Sequence, residues 1–132
     1  MIVLDASAGV AVLLNLGAGA QRIRERMELA GDDLHAPHLL EIEVANVLRR
    51  YVLSGSFSPA RARLALDRLS TLKISLYAHT AMLPRIWELR DNVSAYDAAY
   101  VALAETLSAP LVTTDTRLAR APGIRATVEV YG

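Results

Sequence analysis

The chain has 132 residues, with 14 basic and 14 acidic side chains, no cysteine and 53% hydrophobic residues. This length and apolar content suit one folded domain over residues 1–132 and exclude a disordered chain. The lack of cysteine excludes disulfides and zinc–thiolate sites, and the zero net charge argues against binding to nucleic acid or anionic membrane through bulk charge alone.

Short apolar segments alternate with amphipathic segments along the chain. The predicted strands are 2–4, 34–36, 73–76, 111–113 and 127–130. The predicted helices are 7–14, one that ends at Ala30, 38–54, 59–72, 80–90, one that Ser94 opens and Ala109-Pro110 ends, and 115–120. Continuous apolar strands of this kind are typical of a sheet covered on both faces, so the pattern predicts an α/β fold with a mainly parallel sheet.

Acidic residues occur where this fold gathers ligands. Asp5 directly follows the first predicted strand, and Asp115 follows the fourth. Asp97 lies in the first turn of the helix that Ser94 opens, and helix 38–54 carries Glu41 and Glu43 on opposite edges of its apolar stripe, so spacing does not choose between them. Side chains beyond the carboxyl ends of parallel strands converge on one crevice. We therefore expect four carboxylates at one end of the sheet.

Clustered carboxylates repel one another unless a cation compensates their charge. Hard oxygen ligands select Mg²⁺ or Mn²⁺, and Mg²⁺ is commonly bound by one or two carboxylates together with substrate phosphate. The cluster therefore predicts metal-assisted hydrolysis of a phosphodiester. The alternative is that Asp5, Ser7 and Asp115 only cap helices, and that Ser94 and Asp97 form a capping box.

Other features are weaker signals. The segment 17–20 (GAGA) resembles a dinucleotide fingerprint but has Arg22 in place of its third glycine. The three histidines lack metal-ligand spacing and are expected in the core or on the surface. Among the arginines, Arg90 is the preferred phosphate contact because it shortly precedes the Asp97 helix. The uncharged stretch 6–21 is too short to span a membrane, and we expect a cytoplasmic protein without membrane contact.

Four sequence blocks, taken in order, resemble the PIN-domain family and most closely its VapC-type toxins. The blocks are 1–8 (MIVLDASA), 40–49 (LEIEVANVLR), 87–90 with 94–105 (WELR and SAYDAAYVALAE), and 111–119 (LVTTDTRLA). The resemblance covers effectively the whole chain and implies a three-layer α/β/α domain. It maps the family's acidic quartet onto Asp5, Glu43, Asp97 and Asp115, which selects Glu43 over Glu41. The family's small hydroxyl residue maps onto Ser7.

The resemblance implies a toxin of a type II toxin–antitoxin system, namely an endoribonuclease that depends on Mg²⁺ or Mn²⁺. Asp5, Asp97 and Asp115 are expected to hold metal, and Glu43 to position the attacking water. The expected partners are RNA, a second copy of the chain in a homodimer, and a VapB-type antitoxin that forms a hetero-oligomer with it.

The apolar helix faces around Val47, Tyr51 and Leu66 are the expected groove for an amphipathic segment of the antitoxin. Two other functions remain open. One is a housekeeping PIN-domain nuclease in RNA processing or decay. The other is a non-catalytic interaction domain that uses its acids only as caps.

Overall fold

The computed structural model describes residues 1–132 and contains five strands and seven α-helices. The strands are β1 (Ile2–Leu4), β2 (Leu34–Pro37), β3 (Ile74–Tyr77), β4 (Leu111–Thr113) and β5 (Val128–Val130). The helices are α1 (Ala6–Leu14), α2 (Gly19–Leu29), α3 (Leu39–Leu53), α4 (Pro59–Thr71), α5 (Leu83–Glu88), α6 (Ala95–Leu107) and α7 (Thr116–Arg120). A short 3₁₀ turn, Thr80–Met82, precedes α5.

All five strands pair in parallel, in the order β3-β2-β1-β4-β5. The sheet is thus parallel throughout, and the predicted α/β class is confirmed. The strand order runs outward from β1 in two directions, first through β2 to β3 and then through β4 to β5. Such a reversal leaves a crevice at the carboxyl ends of the two central strands, β1 and β4.

The sheet lies between two apolar layers because alternate strand residues point to opposite faces. On one face, Ile2 and Leu4 of β1 pack with Ile23 and Met27 of α2. On the other face, Val3 belongs to a larger cluster that includes buried residues of α3, α4 and α6. The central strand is therefore buried on both faces, which is the arrangement that its continuous apolar sequence predicted.

One helix begins at its expected capping residue, and one predicted helix is shorter than expected. Ser58 caps α4 through the Arg61 amide, and Pro59 occupies its first turn, as predicted. The predicted continuous helix over 80–90 is wrong: residues 80–82 form the 3₁₀ turn, and α5 covers only Leu83–Glu88. Pro84 lacks a backbone N–H and is tolerated only in the first turn of a helix, so the α-helix begins close to it.

None of the helices has both the length and the apolar content that crossing a bilayer requires.

Candidate active site

The crevice between β1 and β4 brings two of the predicted acids together. Asp5 directly follows β1, and Asp115 lies two residues beyond β4. The two strands are neighbours, with Leu4 aligned with Val112. Helix α3, which follows β2, carries Glu43, and α6, which precedes β4, carries Asp97. The charge of Asp97 acts on both Asp5 and Glu43, so these acids lie near the same edge. The four predicted carboxylates thus come from four different elements.

Asp5 is almost fully buried, with 6% of its surface exposed, and its oxygens accept three hydrogen bonds. Oδ1 accepts from the Ala8 amide at 3.0 Å and from the Ser7 hydroxyl at 2.6 Å. Oδ2 accepts from the Thr113 hydroxyl at 2.5 Å. Burial raises the pKa of Asp5, the three hydrogen bonds oppose that rise, and the charge of Asp97 adds to it. Asp5 therefore does cap α1, but its carboxylate also interacts with another acid.

Thr113 links two of the acids and was not singled out from the sequence. Its hydroxyl donates to Asp5 and accepts from the Asp115 amide at 3.0 Å. Ser7 acts in parallel, because its hydroxyl donates to Asp5 and accepts from the Thr114 amide at 3.0 Å. These two hydroxyls fix the Asp5 carboxylate relative to the segment that carries Asp115. A Thr at the last position of a strand beside the crevice was the only available sequence signal.

Glu43, rather than Glu41, faces the other acids. Glu41 is exposed, whereas Glu43 is half-buried and accepts a 2.6 Å hydrogen bond from the Tyr100 hydroxyl. Burial raises the pKa of Glu43, the Tyr100 bond opposes the rise, and the charges of Asp97 and Asp5 add to it. Burial and the bond to Glu43 raise the pKa of Tyr100 itself far above its usual value, so this hydroxyl keeps its proton.

Asp97 is the carboxylate on which the cluster centres. Ser94 caps α6 by accepting from the Asp97 amide at 3.1 Å, but the Asp97 carboxylate does not return a bond to the Ser94 amide, so the capping box is only half formed. Burial raises the pKa of Asp97, and the charge of Asp115 raises it further, while Ser94 and Arg117 lower it. Because Asp97 also acts on Asp5 and Glu43, its charge is coupled to all three other acids.

Asp115 is both a helix cap and a partner of Arg117. Its Oδ1 accepts from the Arg117 amide at 2.9 Å, which caps α7. The Arg117 guanidinium lies 3.3 Å from both carboxylate oxygens. The side-chain hydrogen bond from Arg117 is the largest cause of the lowered pKa of Asp115. Arg117 was not singled out from the sequence, and only its position two residues after Asp115 signalled this role.

Arg90 lies outside the hydrogen bonds of the acidic cluster. Its guanidinium stacks on the Trp87 ring at 4.9 Å from the centroid and donates to the Trp87 carbonyl at 3.0 Å. A phosphate contact by Arg90 therefore stays a prediction. Of the histidines, His35 is a satisfied core residue, with its ring nitrogens 2.7 Å from the Tyr77 hydroxyl and 2.6 Å from Asp33 Oδ1.

The apolar groove predicted around three helix residues divides into two. Val47 and Tyr51 line a cleft of about 440 Å³ between α1, α3 and the end of the chain, which opens beside Ser7. Leu66 instead lines a separate groove between α3 and α4. The expectation of one groove is therefore corrected, because α4 packs on the side of α3 that faces away from this cleft.

The donor set at the crevice suits a hard divalent cation. The charged groups at the crevice are carboxylates, and three of these four acids have a raised pKa. A nearby cation would lower these pKa values and so favour the ionised forms. No three acidic or histidine side chains lie close enough to enclose an ion by themselves. Mg²⁺ does not need such a cage, since one or two carboxylates with water and substrate phosphate complete its shell. The residues present therefore fit Mg²⁺ or Mn²⁺.

Comparison with known proteins agrees with this architecture. The PIN domain family model matches residues 2–124. The chain is 47% identical over 118 residues to ribonuclease VapC9 of Mycobacterium tuberculosis, covering 89% of this chain and 88% of VapC9. It is 46% identical over 129 residues to ribonuclease VapC1 of the same organism, covering 97% and 96%.

Among solved structures, it resembles VapBC2 of Rickettsia felis bound to a promoter DNA fragment. The TM-score is 0.73 with 17% identity over the full length of both chains, which supports the fold. With four acids at the switch point of a parallel sheet, and with these relatives, the chain belongs to the PIN-domain family and, within it, to the VapC ribonucleases.

Proposed function

We propose that the protein is the toxin of a type II toxin–antitoxin system and hydrolyses RNA phosphodiester bonds in a reaction that requires Mg²⁺ or Mn²⁺. The observation that carries the proposal is the coupling of Asp97 to the three other carboxylates at the crevice. Charges collected in this way cost stability unless they serve a ligand. The ribonuclease relatives supply the substrate class.

Asp5, Asp97 and Asp115 are the proposed metal ligands. Asp5 and Asp97 would hold the principal ion and Asp115 a second one, so that no single ion needs three carboxylates. The bound cation would increase the acidity of a water and stabilise the negative charge that develops on the oxygens of the phosphate during an in-line displacement. Asp5 is suited to this role because Ser7 and Thr113 hold its carboxylate in one orientation. A preoriented ligand loses little conformational entropy when it binds.

Glu43 is proposed to position the attacking water and accept its proton. The Tyr100 hydroxyl keeps its proton and donates it in a hydrogen bond to Oε1 of Glu43. Oε2 is then the oxygen of Glu43 that would face the water. Burial, the largest cause of the raised pKa of Glu43, favours uptake of a proton whether or not a cation compensates the neighbouring acids. Arg90 is proposed to contact a phosphate of the substrate, and Ser7 is proposed to hold the Asp5 carboxylate in place.

The proposed partner is a VapB-type antitoxin that covers the site. The VapBC2 structure of Rickettsia felis contains both components of such a system. In this chain, the cleft at Val47 and Tyr51 opens next to Ser7, so a segment lying in it would end at the acids. A homodimer is also proposed, and a mass measurement by light scattering would test it.

The test of the activity is cleavage of RNA by the purified protein with Mg²⁺ or Mn²⁺, followed by addition of EDTA. Glu43→Gln is expected to reduce the rate about 10²- to 10⁴-fold, the usual contribution of a general base. Glu41→Gln is the matched control, because it makes the same chemical change on the same helix at an exposed residue. Cleavage that continues undiminished in EDTA would rule out the metal requirement, and equal losses in both variants would rule out the role of Glu43.

A further inference from the structure

Arg117 forms the only ion pair in the chain that involves one of the four site acids. Its side chain is 91% exposed and extends from α7 over Asp115. It borders a cleft of about 460 Å³ whose lining includes Asn92, Ser94, Asp97 and Leu118 as well as the ion pair itself. Its charge also acts on Asp97, so a single cation faces both acids on this side of the crevice.

Asp115 does not need the Arg117 guanidinium to stay in place. The Arg117 amide already donates to Asp115 Oδ1 at 2.9 Å, and Thr113 accepts from the Asp115 amide at 3.0 Å. Both guanidinium contacts are 3.3 Å, longer than the 2.7–2.9 Å typical of strong charge-assisted bonds. An ion pair of this exposure contributes little to stability. The guanidinium is therefore free to exchange Asp115 for another anion.

A polyanionic substrate needs such a cation at this edge. Four carboxylates repel a phosphodiester backbone, and a divalent ion at the acids compensates the charge only where it is bound. Arginine is well suited to the neighbouring phosphate, because its planar guanidinium presents parallel N–H donors to two phosphate oxygens. Contacts of this kind position the nucleic acid without reading its sequence.

We propose that Arg117 binds a phosphate of the RNA adjacent to the bond that is cleaved, and that it leaves Asp115 when RNA enters the cleft. The proposal rests on the proposed ribonuclease function. Arg117 is then a substrate-binding residue that contacts RNA of any sequence. When the RNA binds, Asp115 loses its ion pair with Arg117 and can coordinate a metal ion.

The test is RNA binding with Mg²⁺ present, by proteins that carry Glu43→Gln, whose slow cleavage allows binding to be measured separately from the reaction. Fluorescence anisotropy with a labelled single-stranded oligoribonucleotide is recorded at several salt concentrations. Arg117→Gln keeps the amide that caps α7 but removes the charge. Loss of one phosphate contact is expected to reduce the slope of log affinity against log salt by about 0.7, and the affinity roughly fourfold at 0.15 M salt. Arg117→Lys is expected to retain most of the slope.

Arg120→Gln is the matched control, because Arg120 lies on the same short helix, is exposed and has no ion pair. Equal weakening by Arg117→Gln and Arg120→Gln would show a general charge effect and overturn the proposal. Unchanged binding with slower cleavage by Arg117→Gln would show that the residue only positions Asp115, which also overturns it. A parent protein that binds RNA through Arg117 but does not cleave it contradicts the proposed function alone, whereas a parent that does not bind RNA contradicts both.

Discussion

Asp97 is half-buried, and negative charges surround it. Burial and the charge of Asp115 raise its pKa, and in turn its own charge raises the pKa of Asp5 and Glu43. Between the usual aspartate pKa and this raised value, the folded protein binds more protons than the unfolded chain. Its stability therefore falls as the pH rises through that window, and in the absence of metal the cost persists at neutral pH.

Asp97→Asn is expected to stabilise the metal-free protein and abolish cleavage. The gain in the free energy of unfolding should be near zero at a pH below the usual aspartate pKa and should grow as the pH rises through the window above it, because only the parent then acquires the repelled charge. Urea unfolding curves at several pH values measure this. Asp91→Asn, at an exposed residue shortly before α6, is the control and should change neither property.

The same variant should respond weakly to metal. A ligand that binds only the folded state raises its stability, by about 2.7 kcal/mol at a hundred times its dissociation constant. Added Mg²⁺ or Mn²⁺ should therefore raise the melting temperature of the parent protein and much less that of Asp97→Asn. If Asp97→Asn cleaves RNA at the parent rate, Asp97 is not a residue of the active site, and the alternative that it serves only the capping of α6 is favoured.

At the scale of elements, two glycines show how closely the helices approach the rest of the fold. A Cβ at Gly19, the first residue of α2, would stand 2.5 Å from the carbonyl oxygen of Tyr131, just beyond β5. A Cβ at Gly9, in the middle of α1, would stand 3.8 Å from Val44 and 4.0 Å from Leu40, which is ordinary contact with α3. The same substitution therefore meets backbone at one site and a compatible apolar surface at the other.

Gly19→Ala is expected to destabilise the protein by about 1–3 kcal/mol, because the backbone of α2 or of the chain end must shift. Gly9→Ala is expected to stabilise it by about 0.5–1 kcal/mol, because alanine loses less backbone entropy in a helix and fits the space. Urea denaturation with unchanged m-values measures both. A Gly19→Ala protein as stable as the parent would show that the end of the chain does not pack against α2 in solution.

At the scale of the whole molecule, the acids and the apolar cleft share one edge. The cleft between α1 and α3 is lined by Val47 and Tyr51 and reaches Ser7 and Thr114, both of which hydrogen bond within the acid network. One elongated partner could therefore pack its apolar residues in the cleft and place a basic side chain among the carboxylates. Under the proposed function, this geometry would couple inhibition of the nuclease to binding of the antitoxin.

Expression of the chain alone is expected to arrest growth, and co-expression of the proposed VapB-type antitoxin should restore growth. Asp97→Asn should be harmless without any partner, because the arrest requires cleavage. Colony counts under induction measure these effects. Normal growth of cells that contain active, RNA-cleaving protein without a partner would contradict the toxin function and favour the housekeeping nuclease.

The sequence alone determined the fold class and the position of two of the proposed site acids. Asp5 directly follows β1, and Asp115 lies two residues beyond β4. Both strands have continuous apolar residues that must be buried, so the place of these acids at the carboxyl edge of the sheet depends only on local pattern. The capping function of Ser58 and Ser94 is local in the same way, since each hydroxyl bonds an amide three residues ahead. The family resemblance, rather than periodicity, chose Glu43.

Tertiary structure decided which side chains meet. Glu41 and Glu43 are separated by about half a helical turn. Only the packing of both α3 and α6 against β2 places Glu43 within reach of the Tyr100 hydroxyl, while Glu41 stays in solvent. Thr113 contacts Asp5 across 108 positions of the chain, because β1 and β4 are neighbours in the sheet. Such contacts depend on the strand order, which no local pattern specifies, and they decide which charged groups lie within a few ångströms of one another.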